Sequence, residues 1–276
     1  MNVSRAGLNR IANPGLTLEE FFELSGSIGV RAVELRNDLE GIDIIDSLKP
    51  HTVRELASAN GVSILTINAL QKFNVPSLRA ELMSELKELL ALAQSIGCAA
   101  VVLCPNNDRG DTRDGQTVFR DTVDALKALS PLFEMARVYG YIEPLGFQEC
   151  SLRSKRVAVD AIRRSGSTRF KILHDTFHHA IGPDDAKVIE NDIEPGEIGL
   201  VHVSGVAAPL PPGGYRDGHR ILVGMDDKME NREQVTLLEE RGYTGYYSFE
   251  PFSPLVQTLS PSALAAEIKT SLANLG

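Results

Sequence analysis

Eight short apolar runs, several of them rich in β-branched residues, alternate with longer amphipathic segments along the whole chain. The predicted strands are 3–9, 31–36, 62–68, 98–104, 140–145, 170–175, 198–204 and 246–251. The segments between them carry apolar residues at helical spacing, and Ser260 is a candidate N-cap before Pro261 in the last helix. Eight such units in 276 residues predict a single α/β domain, a (β/α)8 barrel over residues 1–276. A doubly wound open sheet is the alternative, but no G-x-G-x-x-G motif follows a strand.

Charge and cysteine content narrow the function classes. The chain has 37 acidic and 28 basic residues, a formal net charge of −9, and no dense Lys/Arg tract, so nucleic acid is not an expected partner. The three cysteines do not have the paired spacing of a disulfide framework, which favours a location in the reducing cytoplasm. No run of 18 uncharged apolar residues occurs and the N-terminus lacks a long apolar segment, so we expect neither membrane association nor a targeting segment.

Acidic and imidazole side chains mark the ends of four neighbouring strands. The residues are Glu143 on the fifth strand, Asp175 on the sixth, His202 on the seventh and Glu250 on the eighth. Each follows an apolar or aromatic stretch, where an unpaired carboxylate would be costly to bury. One such residue alone is more often a surface or packed side chain, but four at the same end of adjacent strands predict a shared divalent ion.

The donor set predicts the type of ion and the type of chemistry. Three carboxylates and one imidazole suit Mn²⁺, Zn²⁺, Co²⁺ or Mg²⁺, and the sequence does not choose among them. Such an ion would polarise a carbonyl and stabilise an enediolate. Glu143 and Glu250 could then serve as the acid and base of a proton transfer.

The stretch ILHDTFHH (172–179) contains three of the six histidines. If Asp175 faces the barrel mouth, strand alternation turns His174 toward the surrounding helices. His178 lies three residues beyond Asp175, and a helical turn would return it to the same side. His179 then points elsewhere, so the stretch contributes two site residues and two bystanders.

One connection, GVAAPLPPGGYRDGHRILVGMDD (205–227), is longer than a usual strand-to-helix loop. Its position after the seventh strand, together with Arg216, His219 and Arg220, predicts a lid over the site, with a plain surface excursion as the alternative. His219 has no assigned role, and alternation places Lys171 near the barrel bottom without explaining it.

Several motifs occur in an order typical of one superfamily. These are VELR (33–36), LTINALQKFN (65–74), YIEPLGFQECSL (141–152), LHDTFHHAIG (173–182), VHVSG (201–205) and SFEPFSP (248–254). With D-x-x-H, H-V and F-E-P-F in sequence, the chain resembles the xylose isomerase-like TIM barrels, which include sugar isomerases, epimerases and apurinic endonucleases. It is most similar to the inosose isomerases, which interconvert 2-keto-myo-inositol and a 1-keto-chiro-inositol.

The resemblance implies roles for individual residues and a place in carbohydrate metabolism, namely inositol catabolism. It implies one divalent ion on Glu143, Asp175, His202 and Glu250, and proton transfer by the two glutamates through a cis-enediolate. It further implies substrate contacts from His178 and Arg220, with Glu34, Arg36 and Asn68 as additional candidates.

Substrate identity stays open at this point. Segment 205–227 lacks the Gly-Glu-Gly of many sugar epimerases, so a ketose 3-epimerase, a hydroxypyruvate isomerase or an inosose dehydratase are alternatives, as is a non-catalytic sugar-binding barrel. The histidines of a three-metal nuclease are not evident on the early strands. A barrel of this kind can form a homo-oligomer, but the sequence indicates no self-complementary surface patch.

Overall fold

Eight parallel strands close into a barrel in the order β1 to β8, with β8 pairing β1, as the sequence predicts. The computed structural model describes residues 3–211 and 213–276. The strands are β1 Ala6–Asn9, β2 Ala32–Arg36, β3 Ser63–Leu70, β4 Ala100–Leu103, β5 Tyr139–Ile142, β6 Phe170–Asp175, β7 Ile198–Val203 and β8 Tyr247–Phe249.

Helices connect the strands around the outside of the barrel. They are α1 Leu18–Ser27, α2 Pro50–Ala59, α3 Arg79–Ile96, α4 Gly115–Ala136, α5 Lys155–Ser165, α6 Thr176–Ala180, α7 Ala186–Asn191, α8 Asn231–Glu240, α9 Pro254–Gln257 and α10 Pro261–Leu275. The predicted N-cap of the last helix is confirmed, since the Ser260 side chain accepts a hydrogen bond from Ala263 N. Within the described ranges, no helix is long and apolar enough to cross a membrane.

Strand alternation divides each strand between two apolar layers. Leu173 and Leu200 pack inside the barrel with Val102, whereas Val201 and Ile172 belong to the larger layer between strands and helices. Residues two positions beyond an inward side chain also face inward, which directs polar residues near the strand ends toward the mouth.

The register brings the polar strand ends to one level of that mouth. Asp175 pairs with His202 across β6 and β7. The backbone N–H groups of Glu143 and Glu250 donate to Leu103 O and Val203 O, so both glutamates stay attached to the sheet although they lie just beyond their strands. The predicted strand 140–145 is therefore too long at its carboxyl end.

Candidate metal centre and substrate pocket

The four predicted strand-end residues meet in one buried cluster, Glu143, Asp175, His202 and Glu250. One potential ligand atom from each lies within 4.8 Å of those from the others. Because parallel strands share their carboxyl edge, the closure of the barrel is what assembles this set.

His202 lies at the centre of the cluster. Its Nδ1 is 3.1 Å from Glu250 Oε2, 3.3 Å from Glu143 Oε1 and 3.8 Å from Asp175 Oδ2. Its Nε2 is 2.9 Å from Glu34 Oε2. An imidazole that faces three carboxylates with one nitrogen and is held by a fourth with the other has the orientation of a metal ligand.

Glu34 is fixed behind His202 by two neighbours on β3. Thr66 Oγ1 donates to Glu34 Oε2 at 2.6 Å, and Asn68 Nδ2 donates to the same oxygen at 3.0 Å. The register between β2 and β3 shifts next to Glu34, which pairs with Thr66 after Val33 pairs with Ile64. Val33 and Leu35, on either side of Glu34, belong to the layer outside the barrel, so Glu34 faces inward, where its side chain is fully buried.

Two arginines provide positive charge beside the carboxylates. Arg220 Nη2 lies 2.6 Å from Asp175 Oδ2 and 2.7 Å from Glu250 Oε2. Arg36 Nη1, at the end of β2, lies 2.7 Å from Glu250 Oε1. Both guanidinium groups lie over the Phe252 ring, at 4.8 Å for Arg220 and 5.1 Å for Arg36. The cations and the ring together form one wall of the site.

The charges in the cluster shift one another's proton affinities. Burial would lower the pKa of His202, but the Glu250 and Glu34 carboxylates outweigh it and raise that pKa well above its ordinary value. Burial would raise the pKa of Glu250, yet His202 and Arg220 hold it well below its ordinary value. For Asp175, Arg220 likewise outweighs burial and lowers the pKa. Glu250 and Asp175 are therefore held as carboxylates, the form that binds cations.

The residues fit a divalent ion by the chemistry of their donors. Carboxylate oxygens and one imidazole suit a hard or borderline ion, and an imidazole nitrogen must lose its proton to bind it. Three acids this close together, buried at 0–4% exposure, are expensive without a cation between them. The cluster could hold the one ion that the sequence predicts.

A cavity of about 180 Å³ opens directly above the cluster. Its lining includes both glutamates and four of the five predicted substrate contacts, namely Arg36, Asn68, His178 and Arg220. The fifth, Glu34, does not line the cavity, since it lies behind His202. The pocket thus brings together the side chains that could bind a small polar molecule.

The histidines of ILHDTFHH separate as alternation predicts. His174 points away from the mouth, with Nε2 at 2.9 Å from Gln234 Oε1 on α8, and the His179 ring packs 5.2 Å from the His174 ring. His178 lies edge-on against Phe147 and lines the pocket. Its buried Nδ1 has no hydrogen-bond partner among the described residues.

Segment 205–227 folds back on itself beside the mouth. Gly205 and Ile221 exchange two backbone hydrogen bonds of 2.8 Å, which places Arg220 next to the pair. Arg220 Nε donates to Ser204 Oγ at 2.8 Å, and the side chain is only 1% exposed. The segment therefore delivers Arg220 into the pocket from outside the barrel.

His219 and Lys171, to which the sequence assigns no role, make local contacts away from the pocket. His219 is exposed, and its Nδ1 accepts a hydrogen bond from Arg216 N at 3.1 Å, which closes a turn of segment 205–227. Lys171 is half-buried, with Nζ 5.8 Å from the centre of the Tyr139 ring near the start of β5. Neither side chain lines the pocket above the cluster.

Three residues of the site are absent from the sequence prediction. Asn9 Nδ2 donates to Glu250 Oε1 at 3.2 Å, and Cys104 Sγ lies 3.7 Å from Glu143 Oε2. Their positions at the ends of the first and fourth strands are a signal that could have identified them. Phe252, in a loop after β8, packs on two arginines, and its place in the F-E-P-F motif is the signal that could have identified it.

Known proteins share this architecture. A crystal structure of a xylose isomerase domain containing protein from Salmonella typhimurium LT2 is 40% identical with a TM-score of 0.92, covering 100% of this chain and 99% of that one. A crystal structure of the IolI protein with a bound zinc atom has a TM-score of 0.89 at 19% identity, covering 98% and 97%. Inosose isomerase of Halalkalibacterium halodurans is 27% identical over 222 residues, which are 77% of this chain and 76% of that relative.

A family model described as Xylose isomerase-like TIM barrel matches residues 22–274, which span all strands but the first. The match includes every residue of the buried cluster. The chain belongs to the xylose isomerase-like TIM barrel family.

Proposed function

We propose that the protein is a divalent-metal-dependent isomerase of a keto-polyol and that its substrate is an inosose. The observation that carries this proposal is the convergence of Glu143, Asp175, His202 and Glu250 directly beneath a small pocket. Relatives named inosose isomerase support the substrate, and the zinc atom in the IolI structure supports the ion.

The pocket suits a small polar substrate. Its volume of about 180 Å³ is below the roughly 300–1,000 Å³ of sites for drug-sized ligands. In this proposal His178 and Arg220 bind substrate oxygens, and Arg36 and Asn68 complete the polar wall. A bound ion would supply Lewis-acid stabilisation of negative charge on adjacent substrate oxygens.

Glu143 and Glu250 form the proton-transfer pair in this proposal. One glutamate accepts the proton from the hydroxyl-bearing carbon beside the carbonyl, the other donates a proton to the former carbonyl carbon, and the hydroxyl proton moves to the former carbonyl oxygen. Carbonyl and hydroxyl then exchange places, with no change in composition. Glu250 is held ionised by Arg36 and Arg220, which suits it to act as the base.

We assign Glu34 to the orientation of His202 instead of a substrate contact. Its carboxylate is fully buried, lies 2.9 Å from His202 Nε2 and is separate from the pocket lining. A carboxylate behind a metal-binding imidazole fixes the ring and raises its basicity. Segment 205–227 is proposed as a lid, because it carries Arg220 and Asp217 to the pocket wall.

The test is an NMR assay in deuterated water, with metal-reconstituted protein, inososes and common ketoses. An inosose should be converted to an isomer of equal mass, apart from any deuterium incorporated. Replacing Glu143→Gln or Glu250→Gln should reduce turnover by about 10²–10⁴-fold or more. Glu267→Gln is the matched control, since Glu267 is exposed on α10. Full activity in both site variants would rule out the mechanism.

The same assay separates the alternatives. A product lighter by one water indicates an inosose dehydratase, and turnover of open-chain ketoses alone indicates a ketose isomerase or epimerase. Binding of a sugar without turnover by any metal form would indicate a non-catalytic barrel. Stoichiometric metal that is lost in Asp175→Ala would count against that last alternative.

A further inference from the structure

A second cavity of about 350 Å³ lies beside the substrate pocket. Phe147, on the loop between β5 and α5, lines both cavities. The remaining walls come from other residues of that loop, from the end of α6 and from the long connection between β7 and α8, including Tyr215 and Met229. The two cavities are therefore neighbours that share the Phe147 side chain as a wall.

The second cavity is lined by three basic side chains, Arg153, Arg216 and Lys228, and by no acidic one among the described residues. This composition is unusual in a chain of net charge −9. None of the three forms an ion pair with a carboxylate in the part of the chain that the structure describes. Their positive charge is therefore not neutralised locally.

Backbone carbonyls hold the two guanidinium groups in place. Arg153 Nη2 donates to Gly146 O at 2.8 Å and to Ile181 O at 3.4 Å. Arg216 Nη1 donates to Gly213 O at 2.7 Å. Each arginine keeps further N–H groups free of these bonds, and a guanidinium fixed in this way is prepared for the planar oxygens of an anion.

We propose that this cavity is an anion subsite, which binds a phosphate or carboxylate group on a keto-polyol whose reacting carbons occupy the neighbouring pocket. The proposal rests on the proposed function for the metal centre and the reaction of that pocket, and it replaces the uncharged inosose by a charged keto-polyol as the preferred substrate. Phosphate and carboxylate groups both carry negative charge and at least two acceptor oxygens. These features match the fixed donors of Arg153 and Arg216 and the exposed ammonium group of Lys228.

The first test measures binding of inorganic phosphate by isothermal titration calorimetry, without substrate or turnover. The double variant Arg216→Gln/Lys228→Gln should weaken binding by about tenfold or more, whereas Lys269→Gln, an exposed charge on α10, should leave it unchanged. Circular dichroism checks that the double variant is folded. If the wild type shows no detectable phosphate binding, the proposed subsite is wrong. If Lys269→Gln weakens binding as much as the double variant does, the phosphate is an adventitious ion only, and the proposal is likewise overturned.

The second test compares kcat/KM for an uncharged ketose, its phosphate ester and the corresponding keto-uronate. The wild type should prefer a charged substrate by at least about tenfold, and the double variant should lose that preference. Preference for the ester or for the uronate identifies phosphate or carboxylate as the natural group. If only uncharged ketones react and phosphate does not bind, the subsite is wrong and the proposed function stands. If phosphate binds as predicted but no ketone reacts, the anion site stands and the proposed function fails.

Discussion

Replacing Arg220 by methionine should destabilise the metal-free protein and make its stability more dependent on metal. Arg220 Nη2 contacts Asp175 Oδ2 and Glu250 Oε2, at 2.6 and 2.7 Å, and the side chain is 1% exposed. Methionine keeps an apolar chain in the same place but removes the guanidinium group that lies over the Phe177 and Phe252 rings. The substitution thus leaves two buried carboxylates without their shared cation.

The expected loss follows from the burial of that pair. Removing one partner of a buried ion pair costs about 3–5 kcal/mol in the free energy of unfolding. A divalent ion that contacts Asp175 and Glu250 would supply the missing charge. At about 100 times its dissociation constant, a ligand stabilises a folded protein by about 2.7 kcal/mol. We expect added metal to raise the free energy of unfolding more in Arg220→Met than in the wild type, because the variant has less positive charge that repels the ion.

The assay is urea unfolding at pH 7, after chelation and again with added Zn²⁺ or Mn²⁺. Arg216→Met is the control, since this exposed arginine lies on the same segment and forms no ion pair with a described carboxylate. Equal stability of metal-free Arg220→Met and wild type would refute the reasoning. If added metal does not reduce the difference in the free energy of unfolding between Arg220→Met and the wild type, the ion does not replace the charge of Arg220, and that part of the reasoning is refuted.

Further predictions concern the support of the site, one buried histidine and the barrel wall. Glu34→Gln should weaken metal binding by about 10–100-fold in a calorimetric titration, because His202 loses its orienting carboxylate; unchanged affinity would contradict this role. Burial lowers the pKa of His179 to about 3. The unfolded chain binds a proton below about pH 6.5 that the folded chain does not, so stability is lost as pH falls from 6.5 toward 3, by about 2 kcal/mol at pH 5. Urea unfolding of His179→Gln should show less of this loss, and identical pH profiles would exclude it. Gly199→Ala should cost about 1–3 kcal/mol in the same assay, because its Cβ would overlap the Tyr141 ring, and wild-type stability would contradict that packing.

The fold follows from the sequence because periodicity and chain order are strong signals in this barrel. Eight strands that alternate with helices leave few topologies, and parallel closure gathers all strand ends at one mouth. The sequence alone could therefore predict that the polar residues at those ends, such as Asp175 and His202, lie close together. Where alternation alone decides, as for His174 and Asp175, the predicted direction agrees with the structure.

Other features depend on local geometry that the sequence pattern does not encode. The register shift between β2 and β3 brings Thr66 beside Glu34, whose carboxylate it holds at His202, although the position of Glu34 on β2 equally suits a pocket residue. Arg220 enters the site through a backbone pairing within an aperiodic segment. The contacts of Asn9 with Glu250 depend on the closure between β1 and β8, which only the assembled barrel reveals.

The protein should bind a single divalent ion at the ends of four strands. The most direct measurement is anomalous X-ray diffraction from crystals grown with zinc. We predict one strong anomalous peak, at about 2.0–2.2 Å from His202 Nδ1 and from one oxygen each of Glu143, Asp175 and Glu250. A fully occupied zinc peak elsewhere, with none among these four side chains, would contradict the account.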